Sequence, residues 1–326
     1  MTPTQPSRTP RLLIRTGLWS LLLLGAALSV HLFTYSSTVE NSDADHQRHF
    51  NDNYKVFSLT LPNDLELFGQ PVPLERLDVR ERLDRELLVN TYWQSNTVLL
   101  HKRANRWFPM VAAVLAKAGV PEDMKYIPVV ESGFTNVVSP AGAAGPWQFM
   151  KATATAYGLE VSDEVDERYH MEKSTEAAAR YLKRSYEQYG DWALAAASYN
   201  LGPEGVARQL DQQGVNGYFN LQLPEETARY VFRILAMKEI MRDPERYGFH
   251  LRERDLYMPY RTRSVMVNGP IPDLAAFARE QGTDYRSLKL LNPWLRSTKL
   301  SNAQRRSYTL LLPAEDFDAV VTSNDE

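Results

Sequence analysis

The sequence predicts a mainly α protein, with one large helical domain and a small C-terminal β-α-α-β module. Three observations support this fold class. Apolar residues recur at three- and four-residue spacing through most of residues 72–250, which is the period of a helix. The composition changes near Met258, and residues 263–313 read as strand, helix, helix and strand. The chain has 326 residues, 44% of them apolar, so it can bury a substantial core.

The N-terminal part reads as a membrane anchor followed by a linker. A basic segment at residues 1–16 precedes an apolar run at residues 17–35, which is long enough to span a bilayer. Arginines lead this run and acidic residues follow it, so we expect the N-terminus in the cytoplasm and the remainder outside. A cleaved signal peptide and a buried core helix are the alternatives. Residues 36–71 read as a linker, with one short strand within residues 54–70.

Residues that favour helix starts and ends divide the large domain. The first predicted helix runs from Pro73 to about Tyr92, the second is Ala104–Lys117, closed by Gly119, and the third covers 121–132 with a kink at Pro128. The fourth runs from a cap at Ser174 to Gly190. The last two are Trp192–Asn200, capped by Asp191, and 225–241, which lies between Pro224 and Pro244.

Composition excludes several chemistries. The chain has no cysteine, which rules out disulfides, thiolate catalysis and Cys-ligated metal sites. Its net charge of -3 offers no basic field for nucleic acid. We expect no nucleic-acid partner, no metal and no organic cofactor.

Four short segments carry candidate chemistry, although each alone has an ordinary structural explanation. A carboxylate at the end of an apolar helix is costly unless it is paired or neutral, and burial raises its pKa toward the range of a general acid. The ordinary structural explanations of the four segments are, in chain order, a solvated helix end, a glycine-rich turn, a helix C-cap, and acidic residues that complement a helix dipole. The segments are Glu131-Ser132-Gly133-Phe134, Gly142 to Met150, Ser198 to Gly202, and Pro224 to Val231.

Taken together and in this order, the segments resemble the lytic transglycosylase domain of the goose-lysozyme-like kind over about residues 105–245. The resemblance implies a lysozyme-like fold for residues 72–250. The sequence departs from the family pattern at two places. The segment between Phe134 and Ser139 is about one residue shorter than usual, and Pro146 stands where an aliphatic residue is usual.

The resemblance also implies the roles of the candidate residues. Glu131 is expected to be the single catalytic acid and base. The expected substrate-binding residues are Ser132, Ser139, Gln148, Met150, Tyr199, Asn200, Glu226 and Tyr230.

The function implied is non-hydrolytic cleavage of peptidoglycan strands between N-acetylmuramic acid and N-acetylglucosamine, with formation of a 1,6-anhydro end. The expected location is the inner membrane with the catalytic domain in the periplasm, or the periplasm itself if the N-terminal segment is cleaved. The alternatives are a hydrolytic muramidase, an inactive peptidoglycan-binding scaffold and a helical membrane adaptor. A muramidase needs a second acid, for which Asp163, Asp166 and Glu167 are candidates, although their polar loop is expected to face solvent.

Residues 258–315 resemble a LysM-like peptidoglycan-binding module, with residues 316–326 as a tail. The matching segments are Leu274 to Ala278, Leu288 to Pro293 and Leu310 to Pro313. A packing domain without glycan affinity is the alternative. Peptidoglycan and the membrane are the expected partners, and possible cell-wall synthesis or division proteins stay unidentified.

Overall fold

The computed structural model describes residues 47–48, 51–52 and 55–317. The chain divides into two compact units, Met1–Ser58 and Leu59–Glu326, and the described residues 47–48 and 51–52 of the first are helical. The apolar run at 17–35 lies outside the described residues. Within the part that is described, no helix has both the length and the hydropathy needed to cross a membrane.

A two-stranded hairpin opens the second unit. Strands β1 (Glu66–Leu67) and β2 (Gln70–Pro71) pair antiparallel, whereas residues 55–61 form no strand. The single strand predicted within residues 54–70 is therefore wrong in form. Apolar alternation alone does not make a strand, because a strand also needs a neighbour to receive its backbone hydrogen bonds.

Eight α-helices make up the large domain. Helix α1 packs against α8, α2 against α5, and α6 against α5, α7 and α8. Short 3-10 segments at Glu122–Tyr126 and Glu167–Tyr169 connect some of them. The helices are α1 (Leu77–Tyr92), α2 (Gln94–Ala118), α3 (Ile127–Ser132), α4 (Lys151–Ala156), α5 (Met171–Tyr189), α6 (Trp192–Leu201), α7 (Pro203–Gln213) and α8 (Glu225–Arg242).

Helix α6 lies in the centre of the core. Its residues 194–197 are at most 2% exposed, and three of them are alanines. Small side chains let three neighbouring helices approach its backbone, so its alanine content reflects close packing as well as helix propensity. Asp191 caps α6 as predicted and accepts hydrogen bonds from the backbone N–H groups of Ala193 and Leu194.

Three predicted helix boundaries need correction. Helix α2 begins at Gln94, ten residues before the predicted start at Ala104, because its regular backbone continues through the polar residues that precede the apolar stripe. Helix α5 begins at Met171 with His170 as its cap, and the fully buried Ser174 lies inside its first turn, donating its hydroxyl to the Met171 carbonyl. The helix predicted over 121–132 is divided at Ile127, because the preceding segment is a 3-10 helix. Pro128 therefore lies in the first turn of α3, where its missing N–H costs nothing.

The C-terminal part of the second unit is a β-α-α-β module, as predicted. Strand β3 (Thr262–Val267) pairs antiparallel with β4 (Tyr308–Pro313), and helices α9 (Leu274–Glu280) and α10 (Tyr285–Leu291) lie between them in sequence. Alternate residues of β4 are buried, so one face of the ribbon covers the two helices. This arrangement confirms the mainly α fold class with a small C-terminal strand-containing module.

Candidate active site

Glu131 lies in the last turn of α3, at the wall of a cavity of about 310 Å³. The three residues at the start of α3 are buried, and Glu131 itself is half-buried. The helix ends at once because Gly133 and Phe134 adopt left-handed φ angles of 58° and 60°. A side chain at Gly133 would also place its Cβ 2.7 Å from Leu100, so glycine is required there for conformation and for space.

Burial raises the pKa of Glu131 to about 7. Two groups oppose this shift, namely the hydroxyl of Tyr230, which donates to Oε1 at 2.6 Å, and the positive charge of Arg233. The negative charge of Glu226 adds to it. A carboxyl group with a pKa near 7 populates both protonation states at neutral pH, so it can donate a proton and later accept one.

Residues 142–150 form a loop joined to α3. Ser132 donates its hydroxyl to the carbonyl of Pro146 at 2.7 Å, which connects the residue after Glu131 to this loop. Trp147 is fully buried and donates its indole N–H to Thr175 at 2.9 Å. These bonds fix the loop relative to Glu131.

The close approach of two backbone segments fixes the other side of this loop. Gly145 has a φ of 78°, and a Cβ there would lie 1.9 Å from the carbonyl oxygen of Arg168. The Arg168 guanidinium in turn donates to the carbonyls of Gly142 and Phe149 at 3.1 and 3.2 Å. Backbone packing therefore requires glycine at Gly145.

Helices α6 and α8 contribute the remaining polar groups. Tyr199 donates its hydroxyl to the Trp147 carbonyl at 2.7 Å, and burial, together with the charge of Glu131, raises the pKa of this hydroxyl. Asn200 accepts a hydrogen bond from Thr227 at 2.7 Å and donates a long one of 3.4 Å to Glu226. These contacts join the third and fourth sequence segments, as Tyr230 joins the fourth to the first.

The other predicted site residues lie on this loop or just before it in sequence. Ser139 accepts a hydrogen bond from the Ala143 N–H at 3.0 Å and thereby closes a turn. Gln148 has a positive φ of 50°, and its amide nitrogen donates to the carbonyls of Val137 and Gly145. Met150 is 45% exposed at the start of α4. Their contacts support the loop, and their contact with a substrate stays a prediction.

The acidic residues considered as a second catalytic acid have other partners. Asp166 and Glu167 were expected to face solvent, but they are 6% and 5% exposed. Asp166 forms an ion pair with Arg168 at 2.7 Å, and Glu167 forms one with Lys173. Burial of these carboxylates is tolerated because each has a cation as a partner. Asp163 is exposed as expected.

Several residues of the cavity were missed by sequence reasoning. Arg233 lies one helical turn after Tyr230, so its spacing was the available signal. Trp93, between α1 and α2, is 60% exposed, and Arg103 lies on α2, in a part of the chain without a motif. The other lining residues include Asn90, Asn96, Thr135 and Met237. Among the described residues, no group of three or more His, Asp or Glu is placed to hold a metal ion.

The C-terminal module packs directly against the segment that supports the loop. Ala144, Val165 and Tyr169 share a hydrophobic cluster with module residues such as Trp294 and Leu310. The backbone N–H of Asp166 donates to the Trp294 carbonyl at 2.8 Å, and Arg296 lies over the ring of Tyr169 at 4.1 Å. The module is thereby connected to the residues around Arg168.

Residues 109–222 match the family described as the transglycosylase SLT domain, and residues 263–316 match the soluble lytic transglycosylase C-terminal LysM-like domain. The large helical domain therefore contains an SLT transglycosylase domain, and the C-terminal unit is a LysM-like domain. Both resemblances inferred from the sequence are confirmed.

The chain is homologous to membrane-bound lytic murein transglycosylase D of Escherichia coli. The two are 29% identical over 228 residues, which is 68% of this chain and 49% of that protein. The chain thus spans about half the length of this curated relative. A putative tributyltin chloride resistance protein of an Alteromonas species is 28% identical over 121 residues, covering 36% of this chain and 58% of that protein.

Two solved structures are also similar. The 70 kDa soluble lytic transglycosylase of Escherichia coli is 22% identical with a TM-score of 0.37, covering 47% of this chain and 26% of that one. An inactive mutant of the lytic transglycosylase Slt from Pseudomonas aeruginosa is 18% identical with a TM-score of 0.35, covering 57% and 36%.

Proposed function

We propose that this protein is a peptidoglycan lytic transglycosylase that cleaves the β-1,4 bond between N-acetylmuramic acid and N-acetylglucosamine. The observation that carries the proposal is Glu131, a carboxyl group with a pKa near 7 held by Tyr230 at the wall of a cavity. Among the described residues that line this cavity, Glu131 is the only acid. The SLT domain match and the homology to a murein transglycosylase give independent support.

In the first step, protonated Glu131 donates its proton to the glycosidic oxygen. The bond between this oxygen and the anomeric carbon breaks, and the N-acetylglucosamine side leaves with a hydroxyl group. The carbonyl of the muramic N-acetyl group stabilises the oxocarbenium-like centre, so one protein carboxylate suffices where most glycosidases use two.

In the second step, ionised Glu131 takes the proton of the muramic 6-hydroxyl. The oxygen of this hydroxyl bonds to the anomeric carbon at the same time. The product is a 1,6-anhydro ring, and Glu131 is protonated again for the next cycle. An intramolecular hydroxyl held near the reacting carbon has a high effective concentration, which favours it over water.

The surrounding residues position these groups. Tyr230 orients Glu131, and Ser132 keeps the catalytic helix in register with the loop. We assign substrate contacts to two sets of residues, one on the loop and one on helices α6 and α8. The loop set is Ser139, Gln148 and Met150, and the helix set is Tyr199, Asn200 and Glu226.

The proposed site of action is the periplasmic face of the inner membrane. The basic and apolar N-terminal segments support a membrane anchor, and the homologue is named as membrane-bound. Glycan strands are the proposed partner of the SLT domain.

Mass spectrometry of the products tests the proposal. The full chain in detergent is incubated with purified sacculi, and Glu131→Gln is compared with Glu187→Gln, which changes an exposed carboxylate on α5. We expect non-reducible muropeptides lighter by one water, no products from Glu131→Gln, and unchanged products from Glu187→Gln. Reducible ends would identify a muramidase, and an active Glu131→Gln would reject the catalytic assignment.

A further inference from the structure

Two arginines from different helices line the cavity on either side of Glu131. Arg103 on α2 donates to the carbonyl of Gly133 at 3.4 Å, and Arg233 on α8 donates to the carbonyl of Val130 at 3.3 Å. The two guanidinium groups thus reach the backbone one residue before and two residues after the proposed catalytic residue. Both bonds are long, so each arginine is held only loosely by the protein.

Neither arginine forms an ion pair with a carboxylate of the described residues. Three other arginines with contacts in the same domain do, since Arg168 pairs with Asp166 at 2.7 Å, Arg229 with Glu86 at 2.7 Å and Arg242 with Glu239 at 2.9 Å. A guanidinium has five N–H donors, and one long bond to a carbonyl leaves most of them available.

The cavity therefore has a positive charge without a matching negative one. Its single acid is Glu131, and that group is largely neutral below a pH of about 7. The other polar side chains that line the cavity are uncharged, namely Asn90, Asn96, Ser132 and Thr135. Half-buried arginines are the side chains best suited to hold a carboxylate through paired hydrogen bonds.

We infer that Arg103 and Arg233 form a subsite for a carboxylate that the glycan strand carries on the lactyl substituent of muramic acid. The inference rests on the proposed function, because it takes the strand to lie against Glu131. The carboxylate has two possible sources, which share the same chemistry. One is the free lactyl carboxylate of a strand without peptide, and the other is a carboxylate of an attached stem peptide.

Two further features fit a substituent of this kind. The cavity volume of about 310 Å³ exceeds what a carboxylate alone fills, which leaves room for the atoms that connect it to the sugar. The exposed Trp93 at its wall provides an apolar surface for those atoms. A bound carboxylate would also neutralise Arg233, whose charge lowers the pKa of Glu131. Occupancy of the subsite would thus favour the protonated acid that starts the reaction.

Calorimetric titration of the full chain carrying Glu131→Gln tests the subsite without turnover. The first pair of ligands is a peptide-free muroglycan tetrasaccharide with free lactyl carboxylates and the same tetrasaccharide with lactyl methylamides. The second pair is the peptide-bearing tetrasaccharide and its form with all peptide carboxylates amidated. Neutralising the correct source should weaken binding roughly tenfold, the effect of losing one charge-assisted contact.

Substitution of the arginines gives the second readout. In Arg103→Gln/Arg233→Gln, the charged and neutral members of the affected pair should bind equally well. Arg184→Gln, which removes an exposed arginine on α5, should keep the tenfold difference. Circular dichroism checks that each variant is folded, and the comparison between ligands in the arginine-containing protein holds even if the double variant is unstable.

The results separate the subsite from the proposed function. The subsite would be overturned if the dissociation constants within both ligand pairs differed by less than twofold, or if a tenfold difference survived in the double arginine variant. In either case, 1,6-anhydro products from the wild type would still support the proposed function. Absence of products from wild-type enzyme with a clear carboxylate preference would instead keep the binding site and reject the reaction.

Discussion

We predict that the hydroxyl of Tyr230 sets the pH range in which Glu131 can act, and the substitution Tyr230→Phe removes this hydroxyl. Tyr230 is 1% exposed and its O–H donates to Glu131 Oε1 at 2.6 Å. This bond stabilises the ionised carboxylate, so it opposes the rise in pKa that burial causes. Phenylalanine keeps the ring packing and deletes only the donor. The pKa of Glu131 should therefore rise further in the variant.

The size of the shift follows from the energy of the lost bond. A hydrogen bond to a charged group contributes about 1.5–3 kcal/mol. One pKa unit corresponds to about 1.4 kcal/mol, so the pKa should rise by roughly one to two units. Because the first step needs protonated Glu131, activity falls as pH rises through this pKa. The alkaline limb of the profile of kcat/KM should accordingly move to higher pH by the same amount.

The assay is release of soluble muropeptides from sacculi between pH 5 and pH 10. Tyr218→Phe is the matched control, because Tyr218 is also buried and its hydroxyl donates to the Ala228 carbonyl at 2.7 Å instead of to Glu131. Its alkaline limb should stay in place. A limb that is unmoved or displaced to lower pH in Tyr230→Phe would refute the assignment of Glu131 as the acid whose ionisation limits the reaction.

Three further perturbations test the site and its support. Because burial holds the proton on Glu131 up to a pH of about 7, wild-type stability should fall between pH 4.5 and 7, and Glu131→Gln should be more stable at pH 8 by roughly 3–4 kcal/mol yet equal near pH 4.5 in urea denaturation. Equal stability at both pH values would contradict the burial argument. Gly145→Ala should lose more than about 3 kcal/mol or fail to fold, whereas Gly142→Ala, with open space at its Cβ, should lose only about 1–2 kcal/mol in thermal melts. Trp294→Ala should lower the free energy of unfolding by about 3–5 kcal/mol in calorimetry and reduce the release of muropeptides. Normal activity in a destabilised variant would show that the module does not support the loop.

The sequence was most informative where local chemistry determines local structure. Asp191 begins a helix and Gly119 ends one, each through contacts with nearby backbone groups, and both were predicted. The family resemblance placed Glu131 and Tyr230, separated by 99 residues, in one site, but it did not predict the hydrogen bond between them. Periodicity alone places each residue on a helix and does not bring the two helices together.

Long-range contacts account for what was missed. Asp166 looked solvent-exposed because its segment is polar, yet Arg168 two residues later neutralises it and the C-terminal module covers it. Arg103 lies in an ordinary amphipathic helix, and its importance comes from reaching the carbonyl of Gly133 across the fold. A single sequence contains no local signal for the contact of Asp166 with the module or for that of Arg103 with Gly133.

The position of the C-terminal module favours a structural contribution to the active site. Trp294 and Tyr308 are 3% and 4% exposed and stack on each other with ring centroids 5.6 Å apart. Exposed aromatic rings are the usual surface for stacking against sugars, and these two are committed to the core instead. That core includes Ala144 of the active-site loop and Val165 beside the Arg168 segment. Loss of the module would uncover apolar surface under the loop joined to the Glu131 helix, so we expect the module to support catalysis through the geometry of this loop even without affinity for glycan.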